Sequence, residues 1–219
     1  MEGRTQAISL KISEIFFSLQ GETSRAGLPT VFVRLTGCPL RCVWCDTEYA
    51  FSGGKNIPLP EVLAKIAQHA VRRVCVTGGE PLAQKACLPL LAALCDAGYE
   101  VSLETSGALD IADVDARVAR IVDLKAPGSG ECAKNRWENL ALLNASDELK
   151  FVLKDRADYE WACNVIREHH LDARCPILFS PVQRDLEPKT LAEWILADRL
   201  PVRFQVQLHK LLWGNIRGK

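Results

Sequence analysis

No run of apolar residues in the 219-residue sequence is long enough to cross a bilayer. The longest candidate, ACLPLLAALC, is about half of the ~20 residues a membrane helix needs. The opening MEGRTQAISLKISEIFF lacks the apolar core and small-residue cleavage site of a secretory signal. Net charge is absent as well: 27 Lys plus Arg balance 27 Asp plus Glu, which removes any general drive toward nucleic acid or membrane surfaces. Nor is there a repeat, a low-complexity tract or a long linker. The expectation is a cytoplasmic globular protein, one domain over 1–219, with neither a nucleic-acid nor a membrane partner. Its 48% hydrophobic content suffices for a sizeable core.

Nine cysteines are an odd number, and the chain is not the short, loop-rich secreted kind that a disulfide framework serves. Six of them, Cys75, Cys87, Cys95, Cys132, Cys163 and Cys175, are scattered, mostly among apolar neighbours as in RVCVT and LAALC. They read as small buried hydrophobes. The other three crowd into CPLRCVWC at Cys38, Cys42 and Cys45, with no fourth cysteine and no histidine close by.

The rest of the chain alternates two patterns. Short β-branched runs read as strands: PTVFVRLT, RVCVTG, YEVSLET, RIVDLK, ELKFVLK, PILFSP and VRFQVQ. Between most of them lie helical stretches. PEVLAKIAQHAVRR has Pro60 in its first turn and Val62, Leu63, Ile66, Ala67 and Ala70 along one face. CLPLLAALCDAG is stopped by Gly98, and ADYEWACNVIREHH and EPKTLAEWILADR follow. A short helix is also placed around 110–116. This alternation predicts an α/β fold with right-handed crossovers and a parallel sheet covered on its faces. The chain is short for a complete eight-fold barrel, so a partial βα barrel is the preferred architecture and a doubly wound open sheet the alternative. In both, the site lies at the carboxyl ends of the strands, where TGC, TGGEP, ETSG and DLKAP fall.

Thiolates are soft ligands that suit zinc, copper(I) or iron–sulfur clusters. A structural zinc wants four ligands, usually from two paired motifs, whereas one motif here supplies three. Three thiolates would also burden a catalytic zinc with negative charge. A cubane iron–sulfur cluster fits better: three irons take Cys38, Cys42 and Cys45, and the fourth is free for a small molecule. That arrangement suits S-adenosylmethionine, chelated through its amino and carboxylate groups and cleaved by an electron from the cluster. A binding module whose cysteines hold zinc is the non-enzymatic alternative.

With Trp44 just before its last cysteine, CPLRCVWC resembles the signature of the radical S-adenosylmethionine superfamily, and TGGEP at Thr77–Pro81 resembles the glycine-rich segment after that superfamily's second strand. SLQGE at Ser18–Glu22, VFVRLTGC, the CDT after the cysteines and QLHK near the C-terminus narrow the likeness to the 7-carboxy-7-deazaguanine synthase family, over most of the chain. The resemblance implies a partial barrel of the radical S-adenosylmethionine type. It implies a lyase that contracts a ring of 6-carboxy-5,6,7,8-tetrahydropterin with loss of ammonia, on the route to queuosine and other 7-deazapurines. It also implies a 4Fe–4S cluster, S-adenosylmethionine and Mg2+ as cofactors, an electron donor such as a flavodoxin or ferredoxin, and a homodimer. A glycyl-radical activating enzyme is the alternative within the superfamily, and SLQGE and CDT argue against it.

Carried over residue by residue, the resemblance gives the cluster to Cys38, Cys42 and Cys45 and magnesium to Thr47. It gives S-adenosylmethionine to Trp44, Asp46, Gly78, Gly79, Glu80, Ser106, Asp123, Lys125 and, by a looser match, Ser180. The two glycines would let backbone groups approach the ligand, and Glu80 would accept a hydrogen bond from its ammonium. The substrate falls to Leu19, Gln20, Gly21, Glu22, Arg34, Thr77 and His209. On the residues alone SLQGE reads as a polar turn after the SEIFFSL strand; for the substrate that the resemblance implies, Gln20 and Glu22 suit the donor and acceptor edge of a pterin. Arg34 shares a strand face with Phe32 and Thr36 and offers either a fork for a carboxylate or an internal salt bridge. The terminal WGNIRGK runs past the point where family members can end, and no role is carried onto it.

Overall fold

The structure, a computed structural model, describes residues 8–219. Its strands are β1 (Ser9–Leu19), β2 (Pro29–Leu35), β3 (Lys55–Pro58), β4 (Arg73–Gly78), β5 (Glu100–Thr105), β6 (Ala119–Asp123), β7 (Glu148–Leu153), β8 (Ile177–Pro181) and β9 (Arg203–Phe204). They form one sheet in the order β3-β1-β2-β4-β5-β6-β7-β8-β9. From β2 across to β9 every pairing is parallel, while β1 runs antiparallel to both β2 and β3. Beyond β2 the spatial order follows the chain without reversal. Right-handed crossovers then all fall on one side of the sheet. A doubly wound sheet would reverse its order at a switch point, so the fold is the open partial barrel, with β3 and β9 as its edges.

The helices α1 (Leu59–Ala67), α2 (Cys87–Asp96), α3 (Arg156–His169) and α4 (Pro188–Asp198) cover the outer side, and α5 (Leu208–Trp213) follows β9. Each of the first four buries a stripe at helical spacing: Val62 and Ile66, then Leu90, Leu91 and Leu94, then Tyr159, Ala162 and Ile166, then Leu191 and Ile195. These stripes meet Val31, Val33, Leu35, Val74, Val76, Leu103, Phe151 and Phe179 in one hydrophobic cluster. Each large side chain buried this way contributes about 1.5–3 kcal/mol. Residues that alternate with these in the strands face the other, concave side.

Three local expectations are corrected. Helix α1 stops at Ala67, and Ala70, at φ 52°, sits in a left-handed turn outside the buried face. No helix forms around 110–116, because Asp110 and Asp115 accept hydrogen bonds from Ala112 N and Arg117 N, which turns the chain locally instead. Of the scattered cysteines only Cys75, Cys87 and Cys175 are buried; Cys95, Cys132 and Cys163 are partly exposed, and all nine are free. No helix among the described residues is long and apolar enough to cross a membrane.

Candidate active site

Because β1 runs against β2, Leu19 pairs with Pro29, at the amino-terminal end of the parallel strands. The loop that follows passes from there into the concave face. Gly27 N closes it on Gln20 O at 2.8 Å. Thr23 N donates to Gln205 Oε1 beyond β9 (2.8 Å), and Ser24 N donates to Glu148 Oε2 on β7 (3.0 Å). So anchored, Gln20 Nε2 reaches Glu104 Oε1 on β5 (3.2 Å), and Glu22 Oε2 accepts from Lys150 Nζ on β7 (2.6 Å). What the sequence shows as a polar turn is the floor of the site.

Glu104 and Lys150 escape the sequence reading. Glu104 accepts from Thr77 Oγ1 through its second oxygen (3.0 Å), so it joins two expected substrate residues, Gln20 and Thr77. Lys150 also lies 3.7 Å from Asp123 Oδ2, which Lys125 Nζ approaches to 3.0 Å. The missed signal is the one that marks Arg34: a charged residue alternating with apolar neighbours in a strand. Burial pushes the Glu22 carboxyl up, but the Lys150 ammonium and the Gln207 amide outweigh it and hold Glu22 below its ordinary value. Burial likewise pushes Lys150 down, and Glu22 and Asp123 reverse this to hold it well above the usual lysine value. Both are therefore ionised at neutral pH.

Arg34 pairs with Thr77 in register and forms a salt bridge from Nε to Glu14 Oε1 at 2.8 Å. This is the internal bridge that the sequence left open. It engages Nε alone, and no protein hydrogen bond from Nη1 or Nη2 is found among the described residues. The fork for a carboxylate is thus still available.

The QLHK segment ties the floor to the cysteine loop. Leu208 N donates to Gly21 O at 2.9 Å, which lays His209 directly over Gly21. Burial lowers the pKa of His209, so it is a neutral imidazole at pH 7. Gln207 Nε2 bridges Glu22 Oε1 (2.8 Å) and Asp46 Oδ2 (3.2 Å), and Lys210 Nζ lies 2.7 Å from the same Asp46 oxygen. Burial pushes Asp46 up, yet Lys210 outweighs it and keeps the carboxyl well below the usual range. Thr47 Oγ1 donates to Asp46 Oδ1 at 3.1 Å, which leaves lone pairs on the hydroxyl.

Cys38, Cys42 and Cys45 are half-buried in one loop with Trp44. The 127–135 segment packs on this loop: Val43 N donates to Ser129 O (3.0 Å) and Arg41 N to Glu131 Oε1 (2.6 Å). Burial raises the Cys42 thiol, and the Lys125 ammonium nearby favours its thiolate. Among the described residues, no three His, Cys, Asp or Glu side chains converge as ligands of a single ion. A cluster does not require that, since each thiolate binds a different iron.

One expected cofactor contact, that of the Glu80 carboxylate, is corrected, and Gly78 and Gly79 have a further role within the fold. A Cβ on Gly78 would strike Leu35 O and N, and one on Gly79 would strike Gly37 O and Cys38 Cβ. The glycines serve first to let β4 approach the chain's own TGC backbone, with Gly79 N on Leu35 O (3.1 Å) and Glu80 N on Gly37 O (2.7 Å). Glu80 is fully buried, and its carboxylate accepts from Leu82 N (3.0 Å), Thr105 Oγ1 (2.9 Å), Ser106 N (2.7 Å) and Ser106 Oγ. That carboxylate holds the ends of β4 and β5 together and is not free for an ammonium. By contrast, Asp123 Oδ1 and Ser180 Oγ are buried without a hydrogen-bond partner among the described residues. Such atoms are costly unless a ligand or water satisfies them, so the residues present fit a polar cosubstrate beside the cysteine loop.

A partial barrel with three cysteines after its first parallel strand defines a radical enzyme class, and the comparisons agree. Residues 32–172 match the family described as Radical SAM superfamily. The chain belongs to that superfamily, whose members use a 4Fe–4S cluster and S-adenosylmethionine. The 7-carboxy-7-deazaguanine synthase of Chlorobaculum tepidum is 48% identical, over 95% of this chain and 97% of that protein. That of Koribacter versatilis is 43% identical, over 93% and 97%. Within the superfamily the chain is a member of the 7-carboxy-7-deazaguanine synthase family. The crystal structure of QueE from Escherichia coli superimposes with a TM-score of 0.77 at 25% identity, covering 92% of this chain and 95% of that one. Streptococcus suis SuiB, bound to its precursor peptide SuiA, shares the fold alone, at TM-score 0.55 and 12% identity, over 77% of this chain and 46% of that one.

Proposed function

We propose that this chain converts 6-carboxy-5,6,7,8-tetrahydropterin to 7-carboxy-7-deazaguanine with loss of ammonia, as a carbon–nitrogen lyase feeding queuosine or a related 7-deazapurine. The observation that carries the reading is the loop of Gln20 and Glu22, drawn through the concave face to Glu104 and Lys150. It sets a donor and acceptor row beside the cysteine loop, as a flat heterocycle requires. Arg34 binds the substrate carboxylate through its terminal nitrogens. Glu104, Gln20 and Thr77 take the polar edge of the pterin, and Leu19, Gly21 and Glu22 shape the floor under the ring. His209 caps the site as a neutral imidazole.

Cys38, Cys42 and Cys45 would hold the cluster. The backbone of Gly78 and Gly79, with Trp44, Asp46, Ser106, Asp123, Lys125 and Ser180, would hold S-adenosylmethionine. When bound, the pair supplies a carbon-centred radical close to the substrate. Thr47 would contribute one oxygen to Mg2+, an ion that keeps waters and takes further oxygens from substrate. The buried ion pairs keep water out of the floor and hold the heterocycle in one orientation, as a directed radical step needs. A flavodoxin or ferredoxin donor, a homodimer and a cytoplasmic location belong to the same reading.

The test is anaerobic reconstitution followed by assay with the carboxytetrahydropterin. Deazaguanine acid and ammonia in equal amounts are the expected products. A reduced, cluster-loaded enzyme that binds the pterin and forms neither would sink the proposal.

A further inference from the structure

The terminal WGNIRGK returns along β1. A Cβ on Gly218 would lie 4.0 Å from Phe16 Cβ, and Arg217 Nη2 donates to Ser13 Oγ at 3.2 Å. Arg217 Nε donates to Glu14 Oε2 at 3.0 Å. The other Glu14 oxygen already accepts from Arg34 Nε and from Tyr49 OH, both at 2.8 Å. The two guanidinium carbons also lie over the Tyr49 ring, Arg34 at 5.9 Å and Arg217 at 4.2 Å from its centroid. One carboxylate therefore serves two arginines from opposite ends of the chain.

The charge count gives this arrangement a consequence. Arg34 and Glu14 alone form a neutral pair, so part of the attraction a carboxylate meets at Arg34 would be cancelled by Glu14. With Arg217 the trio carries one net positive charge, set against the Glu104 carboxylate that also acts on Arg34. We infer that Arg217 is a specificity-determining positioning residue: it neutralises Glu14 and so leaves the terminal nitrogens of Arg34 to bind the carboxylate that distinguishes the substrate from a plain pterin. The inference rests on the reading of Arg34 as the carboxylate fork. Arg217 acts through Glu14 and need not touch substrate. Its side chain is 54% exposed, so its influence is modest and weakened by salt.

The experiment measures KM and kcat for the carboxytetrahydropterin, and calorimetric Kd in the cluster-loaded S-adenosylmethionine complex, at low and high salt. The variants are R217Q, R217K, E14Q/R217Q and R34Q, and tetrahydropterin without the carboxylate is the control ligand. R217Q should raise KM and Kd about three- to five-fold at low salt and less at high salt, a size expected for a half-exposed charge. It should change kcat little and leave the affinity of the carboxylate-free pterin unaltered. R217K should recover most of the loss. E14Q/R217Q should recover it too, because the uncompensated charge is gone; a merely structural strap would not be rescued by a second lesion. The inference is overturned if R217Q leaves KM unchanged, if it weakens both pterins equally, or if E14Q brings no recovery. R34Q tests the underlying reading separately. If R34Q keeps the wild-type preference for the carboxylated pterin, the fork assignment itself fails. If R34Q loses that preference and R217Q retains it, only the role of Arg217 fails.

Discussion

His209 lies so close over Gly21 that any β-carbon at position 21 would overlap its Nδ1. The floor loop and α5 meet at this point, fixed by the Leu208 N to Gly21 O hydrogen bond of 2.9 Å. Gly21→Ala should therefore force the imidazole aside. A side chain can swing away, so the stability loss should stay at or below the about 1–3 kcal/mol typical of overpacking. Activity should fall further than stability, because the same QLHK segment carries Gln207 and Lys210 to Asp46. Thermal unfolding and steady-state kinetics on the same sample check this: equal losses in both would make the contact purely structural.

Glu104 holds Gln20 at 3.2 Å and Thr77 at 3.0 Å, one on each oxygen. Glu104→Gln keeps the shape but turns one acceptor into a donor. The clash of donors with Gln20 or Thr77 should lower kcat/KM about 10- to 100-fold, the range of a hydrogen bond to a charged group. The variant should still take up iron and cleave S-adenosylmethionine, since among the described residues no hydrogen bond or salt bridge joins Glu104 to the cysteine loop. A Glu104→Gln enzyme with wild-type kcat/KM would remove Glu104 from the substrate site.

Most of the barrel and the cysteine loop were legible because their signals are local. Alternation along PTVFVRLT puts Arg34 on the face away from Val33 and Leu35, and the structure keeps it there. The partial barrel needed one fact that no local pattern holds, the unreversed strand order. The missed features depend on long-range placement. Nothing in SLQGE says that its loop passes under the strands to Lys150, 128 residues on. Glu80 looked like a ligand for an ammonium because sequence cannot show that Thr105 and Ser106 already occupy its oxygens. Gly78 and Gly79 suggest a close backbone approach to a ligand, whereas the approach the fold shows is to the chain's own 35–38 segment, which only the register of β2 with β4 reveals.

The pairing of Glu22 with Lys150 at 2.6 Å predicts how the floor responds to acid. In the folded chain Glu22 titrates below its ordinary value of 4.5, because Lys150 outweighs the opposing effect of burial. The unfolded chain, with the ordinary value, takes up the proton first as pH falls. The stability Glu22 contributes is thus fully present above about pH 4.5 and is lost as pH drops through the lower folded value. Glu22→Gln should lower stability at pH 7 by about 1–3 kcal/mol, the cost of weakening a partner of a buried charge, and should flatten the acid side of the profile. Urea midpoints from pH 7 to pH 3 read this directly: parallel curves for the two proteins would show that Glu22 titrates normally.

Thr47 offers a separation of the proposed magnesium site from the cluster. Its Oγ1 gives its proton to Asp46 Oδ1 at 3.1 Å, and Asp46 is in turn held by Lys210 Nζ at 2.7 Å. The hydroxyl oxygen is therefore oriented by a fixed neighbour, and its lone pairs remain for a hard cation. Magnesium dehydrates reluctantly and needs few protein oxygens when substrate supplies others. Thr47→Ala should leave iron content and the visible spectrum unchanged and should lower product formation about 10- to 100-fold at limiting magnesium, the scale seen when the surroundings of a metal are disturbed. Excess magnesium should restore part of the rate, and Thr47→Ser, which keeps the hydroxyl, should restore most of it. Titration of activity against magnesium, with iron assayed on each preparation, decides the matter. If Thr47→Ala loses iron along with activity, Thr47 supports the cysteine loop and the magnesium assignment falls.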